Sequence, residues 1–378
     1  MKFPEIVGSD QWFLVAASAL WLLMAWYYLR WFTAAGSRKY LKREQQRASA
    51  QMPVSIIVCA HNEAKNLRNN IPVLLSQDYP QFELIVVDDG SWDDTPAYLR
   101  TVSAEFPRVK LCTIDRDRVK NPGKKLAITL GIKAASHEHL LLIDADCTPA
   151  SPQWLKKMAS AFMQNHSLVI GFSPYRKRSG LLNLFIRFET LITGMQYLSM
   201  ALKGRAYMGV GRNLGYTKTQ FFQVKGFASN HHLPAGDDDL FVQDAARPGN
   251  TAVVLDQEAH TFTDAKTSIR AWWKQKKRHL FVGKHYKPAV KRFLGLLSFI
   301  QLTFYVMLPI WFVCAGIWWL PLAFWGLWLL LRFIVVARTA SLLGQMNFLW
   351  LFTLLDISYV YLLTVAGLNA WFAKRIRW

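Results

Sequence analysis

Acidic residues are the first shortage in this sequence. Its 25 Asp and Glu stand against 45 Lys and Arg over 378 residues, a formal charge of +20. The shortage is local: no Asp or Glu occurs from Ala265 to Leu355, where Lys274, Lys276, Lys277, Arg278, Lys284, Lys287 and Lys291 cluster. Basic residues beside apolar runs flank membrane spans, so the excess charge reads as lipid-facing, and no nucleic-acid partner is expected. Cysteine is scarce as well. Cys59, Cys112, Cys147 and Cys314 have no metal-type spacing, which excludes a zinc module and leaves free thiols in a reducing compartment. Glycine-rich phosphate loops are missing: Pro122-Gly123-Lys124-Lys125 lacks Walker A spacing, and no GxGxxG follows the first strand. Gly209, Gly211 and Gly215 also fail that spacing, so any phosphate here must be held another way. No internal repeat or low-complexity tract is present.

What the chain has in excess is apolar and aromatic residues, 52% hydrophobic with 16 Trp and 24 Phe, and they gather at the two ends. Gln11 to Leu29 and Phe293 to Leu331 carry no charge, lengths that fit about one and about two crossings at roughly 20 residues each. The first run follows Lys2, as a signal peptide would. It is long, aromatic, without a small-residue cleavage pattern, and followed by Arg30, Arg38, Lys39, Lys42 and Arg43, which predicts an uncleaved span. The positive-inside rule then places the middle of the chain in the cytoplasm of a multi-pass inner-membrane protein. Spans near Leu296 to Trp311, Trp318 to Val336 and Phe348 to Trp371 bring the crossings to four. They put Lys374-Arg375-Ile376-Arg377 on the disfavoured side, so either one segment is re-entrant or interfacial, or the tail is an exception. Arg332 and Asp356 within these spans must face protein or water, lining an acceptor entrance or pairing with each other.

Between the ends, strands predicted at Val54 to Cys59, Leu84 to Val87, Val109 to Thr113 and up to Asp144 alternate with helices over Glu63 to Ser76, from Asp93, and over Lys124 to Ser136. Short apolar strands alternating with helices predict an open, mainly parallel α/β sheet with ligands at the carboxyl ends of the strands. Leu181 to Leu202 is amphipathic and is read as a core helix before an interfacial one. A turn and short strand follow at Gly211 to Tyr216, and a strand at Thr251 to Leu255. Ser268 to Leu280 carries Trp272 and Trp273 beside a basic face, as a helix in the headgroup zone would.

The acidic loops fall at the strand ends. Leu140 to Pro149, LLLIDADCTP, delivers Asp144 and Asp146, and strand alternation would put both on one side, spaced to share a divalent cation. Asp88-Asp89-Gly90-Ser91 and Asp237-Asp238-Asp239 recur at comparable places. Each has a plain alternative, as a turn with a helix cap or an acidic helix start. A carboxylate pair ending an apolar strand is harder to explain that way.

Taken in order, these stretches resemble the family 2 glycosyltransferases with a GT-A fold, in their membrane-anchored branch, over roughly Val54 to Leu280. VSIIVCAHNE is similar to the family's opening strand, VVDDGSWDDT to its nucleotide loop, LLIDADC to its DxD, and GRNLGYTKTQFFQVKGF to its acceptor-side segment. The resemblance implies an inverting transferase whose Asp88, backed by Asp89, accepts hydrogen bonds from the base of a UDP- or GDP-linked sugar, with Lys124 near the diphosphate. Asp146 would coordinate Mg2+ or Mn2+, with Asp144 nearer the ribose or donor sugar. The family's general base falls on Asp237 when the pattern is aligned on Leu240, with Asp238 as the fallback and Gly236 standing where the family often has Glu. The QxxRW signature reads Gln275-Lys276-Lys277-Arg278-His279. Gln275 and Arg278 would reach the diphosphate or roof the acceptor site, and His in place of Trp argues for transfer of one or a few sugars.

The expected organisation is an anchor over 1–34, a basic linker over 35–52, a GT-A domain over 53–265, an interface helix over 266–292 and a membrane region over 293–378. The expected acceptor is a lipid or lipid-linked saccharide of the cell envelope at the cytoplasmic face. The alternatives are a processive polysaccharide synthase and an inactive membrane scaffold.

Overall fold

Val54–Ala60 (β1) and Phe82–Asp88 (β2) are apolar without alternation and buried nearly throughout, as strands covered on both faces must be. The computed structural model describes residues 8–47, 51–119, 122–233 and 235–373, so the basic tail beyond Ala373 lies outside the described residues. The remaining strands are Val109–Thr113 (β3), His139–Leu142 (β4), Thr148–Pro149 (β5), Leu168–Ile170 (β6), Leu214–Thr217 (β7), Thr251–Val253 (β8) and Thr261–Phe262 (β9). Seven form one sheet in the order β3-β2-β1-β4-β7-β6-β8, in which only β7 runs against its neighbours, and β5 pairs with β9 in a small antiparallel sheet. Ala60 is in register with Asp88, so the loops leaving β1 and β2 emerge side by side.

Thirteen helices are described. The first two are Gly8–Tyr27 (α1) and Arg38–Gln45 (α2), and those of the α/β body are Ala64–Leu75 (α3), Thr95–Glu105 (α4), Lys124–Ala134 (α5), Trp154–Ser160 (α6), Leu181–Leu202 (α7), Lys218–Gln223 (α8) and Asp239–Ala245 (α9). The last four are Ile269–Val282 (α10), Pro288–Cys314 (α11), Trp319–Leu342 (α12) and Phe352–Phe372 (α13). The predicted helix and strand positions agree with these to within a few residues, but β4 stops at Leu142. Asp144 and Asp146 therefore lie in a turn closed by the Cys147 amide donating to the Asp144 carbonyl at 3.0 Å. Strand alternation does not bring the two carboxylates together; that turn does.

One apolar core joins Met24, Phe304 and Trp328 of the long helices to Ile57, Ile85 and Leu142 on one face of the sheet, and a second fills the opposite face around Val58, Leu84 and Trp154. Helix α7 lies within the first core. Its Phe188 ring meets Phe348, Phe352 and Tyr359, and the Tyr197 hydroxyl donates to the Gly171 carbonyl at 3.0 Å, so the core reading of this helix holds. Trp272 of α10 departs from the headgroup reading: it is buried against Phe185. Helix α2, in the basic linker, is clamped to the end of β8, where buried Glu44 accepts from the amides of Leu255 and Asp256 at 2.7 and 3.2 Å.

Four helical stretches, Asp10–Phe32, Pro288–Cys314, Trp319–Leu342 and Leu349–Phe372, are long and apolar enough to cross a membrane. The charged groups Asp10, Arg332 and Asp356 inside them lie against protein groups rather than lipid, as hydrocarbon surroundings demand. Asp10 accepts from the Trp311 indole at 2.9 Å and the Gly316 amide at 3.0 Å. Arg332 and Asp356 choose pairing over a water-lined entrance: both are fully buried, 2.7 Å apart at an angle outside hydrogen-bond geometry. Tyr305 donates to Asp356, and the guanidinium lies among the rings of Tyr28, Trp328 and Tyr359. Breaking a buried pair leaves one charge uncompensated. Asp356→Leu is therefore expected to cost about 3–5 kcal/mol, and Arg332→Met with Asp356→Leu to recover most of it, as measured by thermal unfolding in detergent.

Candidate active site

Lys124 opens α5 immediately after Gly123, whose φ of +142° is accessible to glycine and not to an L side chain. From there its ammonium reaches Asp144 Oδ1 at 2.8 Å and Asp237 Oδ2 at 3.2 Å. Burial works against that positive charge, yet Asp144, Asp237 and Asp238 outweigh it and raise the lysine well above its usual range. Burial likewise pushes the Asp144 carboxyl up, and Lys124 with Arg212 brings it net below the ordinary carboxylate range. One lysine thus ties the turn after β4 to the acidic turn before α9.

Asp146 is the exposed member of its turn and accepts from the Thr263 hydroxyl at 3.2 Å and the Cys147 thiol at 3.3 Å. Ligand atoms of Asp144, Asp146 and Cys147 lie within 4.8 Å of one another. Burial and the two neighbouring carboxylates push the Cys147 thiol up, so it remains a protonated donor. Two carboxylates so placed fit a hard divalent cation.

At the other carboxylate cluster, Gly236 has φ +86°, and a Cβ there would stand 2.8 Å from Leu240 Cδ1. The positive φ therefore makes any side chain at this position strained, the Glu that the resemblance would place here included. Asp238 caps α9, accepting from the Asp239 amide at 2.8 Å and the Gly211 amide at 3.1 Å, so both its oxygens serve the backbone. Burial, then the charge of Asp237, raises its pKa. Asp239 accepts from the Tyr286 hydroxyl through one oxygen, while the other is buried without a partner. Burial, then Asp238, lifts this carboxyl well above the ordinary range. Between that range and the raised value, folded protein holds a proton that the unfolded chain releases, so stability falls as pH rises through the window. Asp239→Asn is expected to gain in melting temperature over the parent as pH goes from about 5 to about 8, read by unfolding scans at each pH.

Helix α10 roofs the site. Gln275 donates to the Tyr175 hydroxyl at 3.4 Å, and Arg278 and His279 face the same cavity. The helix is held by Glu189, a buried acid on α7 that pairs with Lys276 and accepts from the Trp272 indole at 3.3 Å. Arg212 backs the floor, donating to the Ser173 carbonyl at 3.0 Å while lying over the Tyr175 ring. Glu189 escaped the sequence reading although a lone acid in an apolar helix marks it. Tyr286 and Thr263 carry no such mark.

The cavity has a volume of about 800 Å3 and brings together Lys124, Asp144, Asp146, Asp237, Asp238 and the α10 roof. Asp88 and Asp89 are placed differently, at the carboxyl end of β2 rather than on this wall. Asp88 accepts from the Ser91 amide at 3.0 Å, and Asp89 pairs with Arg116 at 2.7 Å. Cys59 stands between: burial raises its thiol, Lys124 opposes, and Asp144, Asp237 and Asp89 add to the rise. The loop after β2 thus borders the site without lining the cavity.

A family model described as Glycosyl transferase family 2 matches residues 55–219, and one described as Glycosyl transferase family group 2 matches residues 139–373. An uncharacterized glycosyltransferase of Haemophilus influenzae is 28% identical over 144 residues, 38% of this chain and 41% of its own length. The poly-beta-1,6-N-acetyl-D-glucosamine synthase of Staphylococcus epidermidis is 28% identical over 193 residues, 50% of this chain and 44% of its own. Those alignments span less than half the length of either relative. Among solved structures, the mannosyltransferase PcManGT from Pyrobaculum calidifontis, in complex with GDP-Man and Mn2+, superposes with TM-score 0.51 at 16% identity, over 93% of this chain and 99% of that one, a likeness of fold.

Proposed function

The chain belongs to the family 2 glycosyltransferases, with their GT-A fold, and on that premise we propose that it transfers a sugar from a UDP- or GDP-linked donor to an acceptor at the membrane, with inversion. One observation carries the reading: Lys124 lies within 3.2 Å of both Asp144 and Asp237, so the donor-side and acceptor-side carboxylates meet at a single ammonium. In this reading Asp146 and Asp144 hold Mg2+ or Mn2+, which offsets negative charge on the leaving diphosphate. Lys124 adds a fixed positive charge at the same phosphates. Asp88 and Asp89 orient the nucleotide, and Gln275 and Arg278 close over the diphosphate from α10.

Asp237 takes the proton of the acceptor hydroxyl as its oxygen bonds to the anomeric carbon. The bond from that carbon to phosphate oxygen breaks, and its electron pair leaves on the nucleoside diphosphate. Asp238 holds Asp237 in place by capping α9. The chain is organised as an anchor over 1–34, a linker over 35–52, a catalytic domain over 53–265, an interface helix over 266–292 and a membrane region over 293–378. The catalytic domain lies on the cytoplasmic side of the inner membrane, a reading that the basic flanks of its spans support. The acceptor is a lipid or lipid-linked saccharide, and His279 in place of a sugar-stacking Trp favours short products.

A panel of nucleotide sugars with Mn2+, Mg2+ or chelator tests this on the full chain. At least one donor is expected to raise the melting temperature and to release nucleoside diphosphate only with metal. No binding and no release across the panel would overturn the assignment, and a long polymer as product would replace short transfer by processive synthesis.

A further inference from the structure

The catalytic cavity does not end at the α10 roof. It continues between α11 and α13 to Ser298, Phe299, Leu368 and Trp371, which lie in stretches long and apolar enough to cross a membrane. Phe299, Leu368 and Trp371 are exposed at that end, so the extension opens sideways on the lipid-facing surface. Its walls are mostly apolar, and the Gln301 amide among them donates to the Tyr28 hydroxyl at 3.0 Å. The Ser298 hydroxyl donates to the Leu294 carbonyl at 3.0 Å and the Thr364 hydroxyl to the Val360 carbonyl at 2.7 Å, each spent within its own helix.

Two glycines border the slot. Gly295 on α11 and Gly367 on α13 both line it, and a Cβ at either would meet nothing within 4 Å. A leucine side chain at either position would project into that open space rather than into packed protein. At the inner end the cavity wall carries the unpartnered, buried oxygen of Asp239, a polar group suited to a ligand's head.

We infer that this slot holds the hydrocarbon chain of the acceptor, an amphiphile that enters from the bilayer between α11 and α13 and presents a hydroxyl-bearing head to Asp237. The inference rests on the transferase reading and narrows its acceptor to a lipid with a chain lying in protein. A water-soluble saccharide would leave the slot unused.

The test uses full-length protein in lipid nanodiscs and displacement of a fluorophore-labelled dodecyl glucoside by alkyl β-glucosides from butyl to hexadecyl. Partition into the nanodisc lipid by itself raises apparent affinity about fourfold per added methylene, so the slot is read as the displacement in the parent beyond that in the folded slot variants, expected to grow with chain length until the slot is filled. Gly295→Leu and Gly367→Leu, made separately and checked by unfolding scans, are expected to weaken the dodecyl compound about tenfold or more, as loss of a few buried methylenes would. Gly326→Leu, on the exposed side of α12 with open space around it, is expected to bind as the parent does. The slot is refuted if the parent's excess over the slot variants does not grow with chain length, if the folded slot variants bind like the parent, or if Gly326→Leu loses as much as they do. Metal-dependent release of nucleoside diphosphate from donor is followed in parallel. Its absence in the parent would sink the transferase reading while leaving the chain-length result to stand or fall alone.

Discussion

Asp237→Asn is expected to lower sugar transfer by about 1,000-fold, within the range seen when a general base is removed, while donor affinity stays within a few-fold. Asp238→Asn is expected to change turnover by less than tenfold. The contrast follows from what each carboxylate already does. Both oxygens of Asp238 accept backbone amides, one of them the first amide of α9; asparagine keeps one of these bonds and turns its NH2 toward the other amide, a loss felt in stability rather than in proton transfer. Asp237 has Lys124 as its ion-pair partner and lies on the open cavity. Asp238→Ala, which removes the cap, is expected to cost about 1 kcal/mol of stability and to leave the folded fraction active. Measuring kcat, donor affinity and melting temperature for the three variants separates the roles. A turnover defect larger in Asp238→Asn than in Asp237→Asn would move the base to Asp238.

The parts of this arrangement that could be read from sequence are those with local causes. Apolar strands ending in acidic loops, the helix at Lys124 and the basic helix with Gln275 and Arg278 are patterns within a few residues of one another, and each lies close to its expected place. What sequence could not carry is the pairing of distant elements. The bridge from Lys124 to Asp144 and Asp237 joins three loops through the fold. The support of α10 by Glu189 depends on α7 passing beneath it. Strand alternation was the wrong cause for the proximity of Asp144 and Asp146, because β4 ends at Leu142 and a turn takes over. Trp272 was misplaced for a related reason: tryptophan is amphipathic enough for a headgroup or a core, and only the nearby Glu189 acceptor decides which.

Removal of the proposed metal site should follow removal of the proposed base as the second largest effect. Asp146→Asn is expected to lower donor turnover by about 100-fold or more, comparable with deleting one group that stabilises developing charge. It should also abolish Mn2+ binding measured by calorimetry with the nucleoside diphosphate present. The supporting contact gives a finer test. Thr263 donates its hydroxyl to Asp146 at 3.2 Å, and partners of this kind orient a ligand, so Thr263→Val is expected to weaken Mn2+ about tenfold without abolishing it. Cys147→Ser should leave Mn2+ affinity nearly unchanged, because the thiol acts at Asp146 as a donor and a hydroxyl can replace it. Loss of Mn2+ in Cys147→Ser would make sulfur a ligand, and normal Mn2+ binding by Asp146→Asn would remove the site from this turn. The ranking of the three variants therefore tests the assignment by binding alone, before any sugar is transferred.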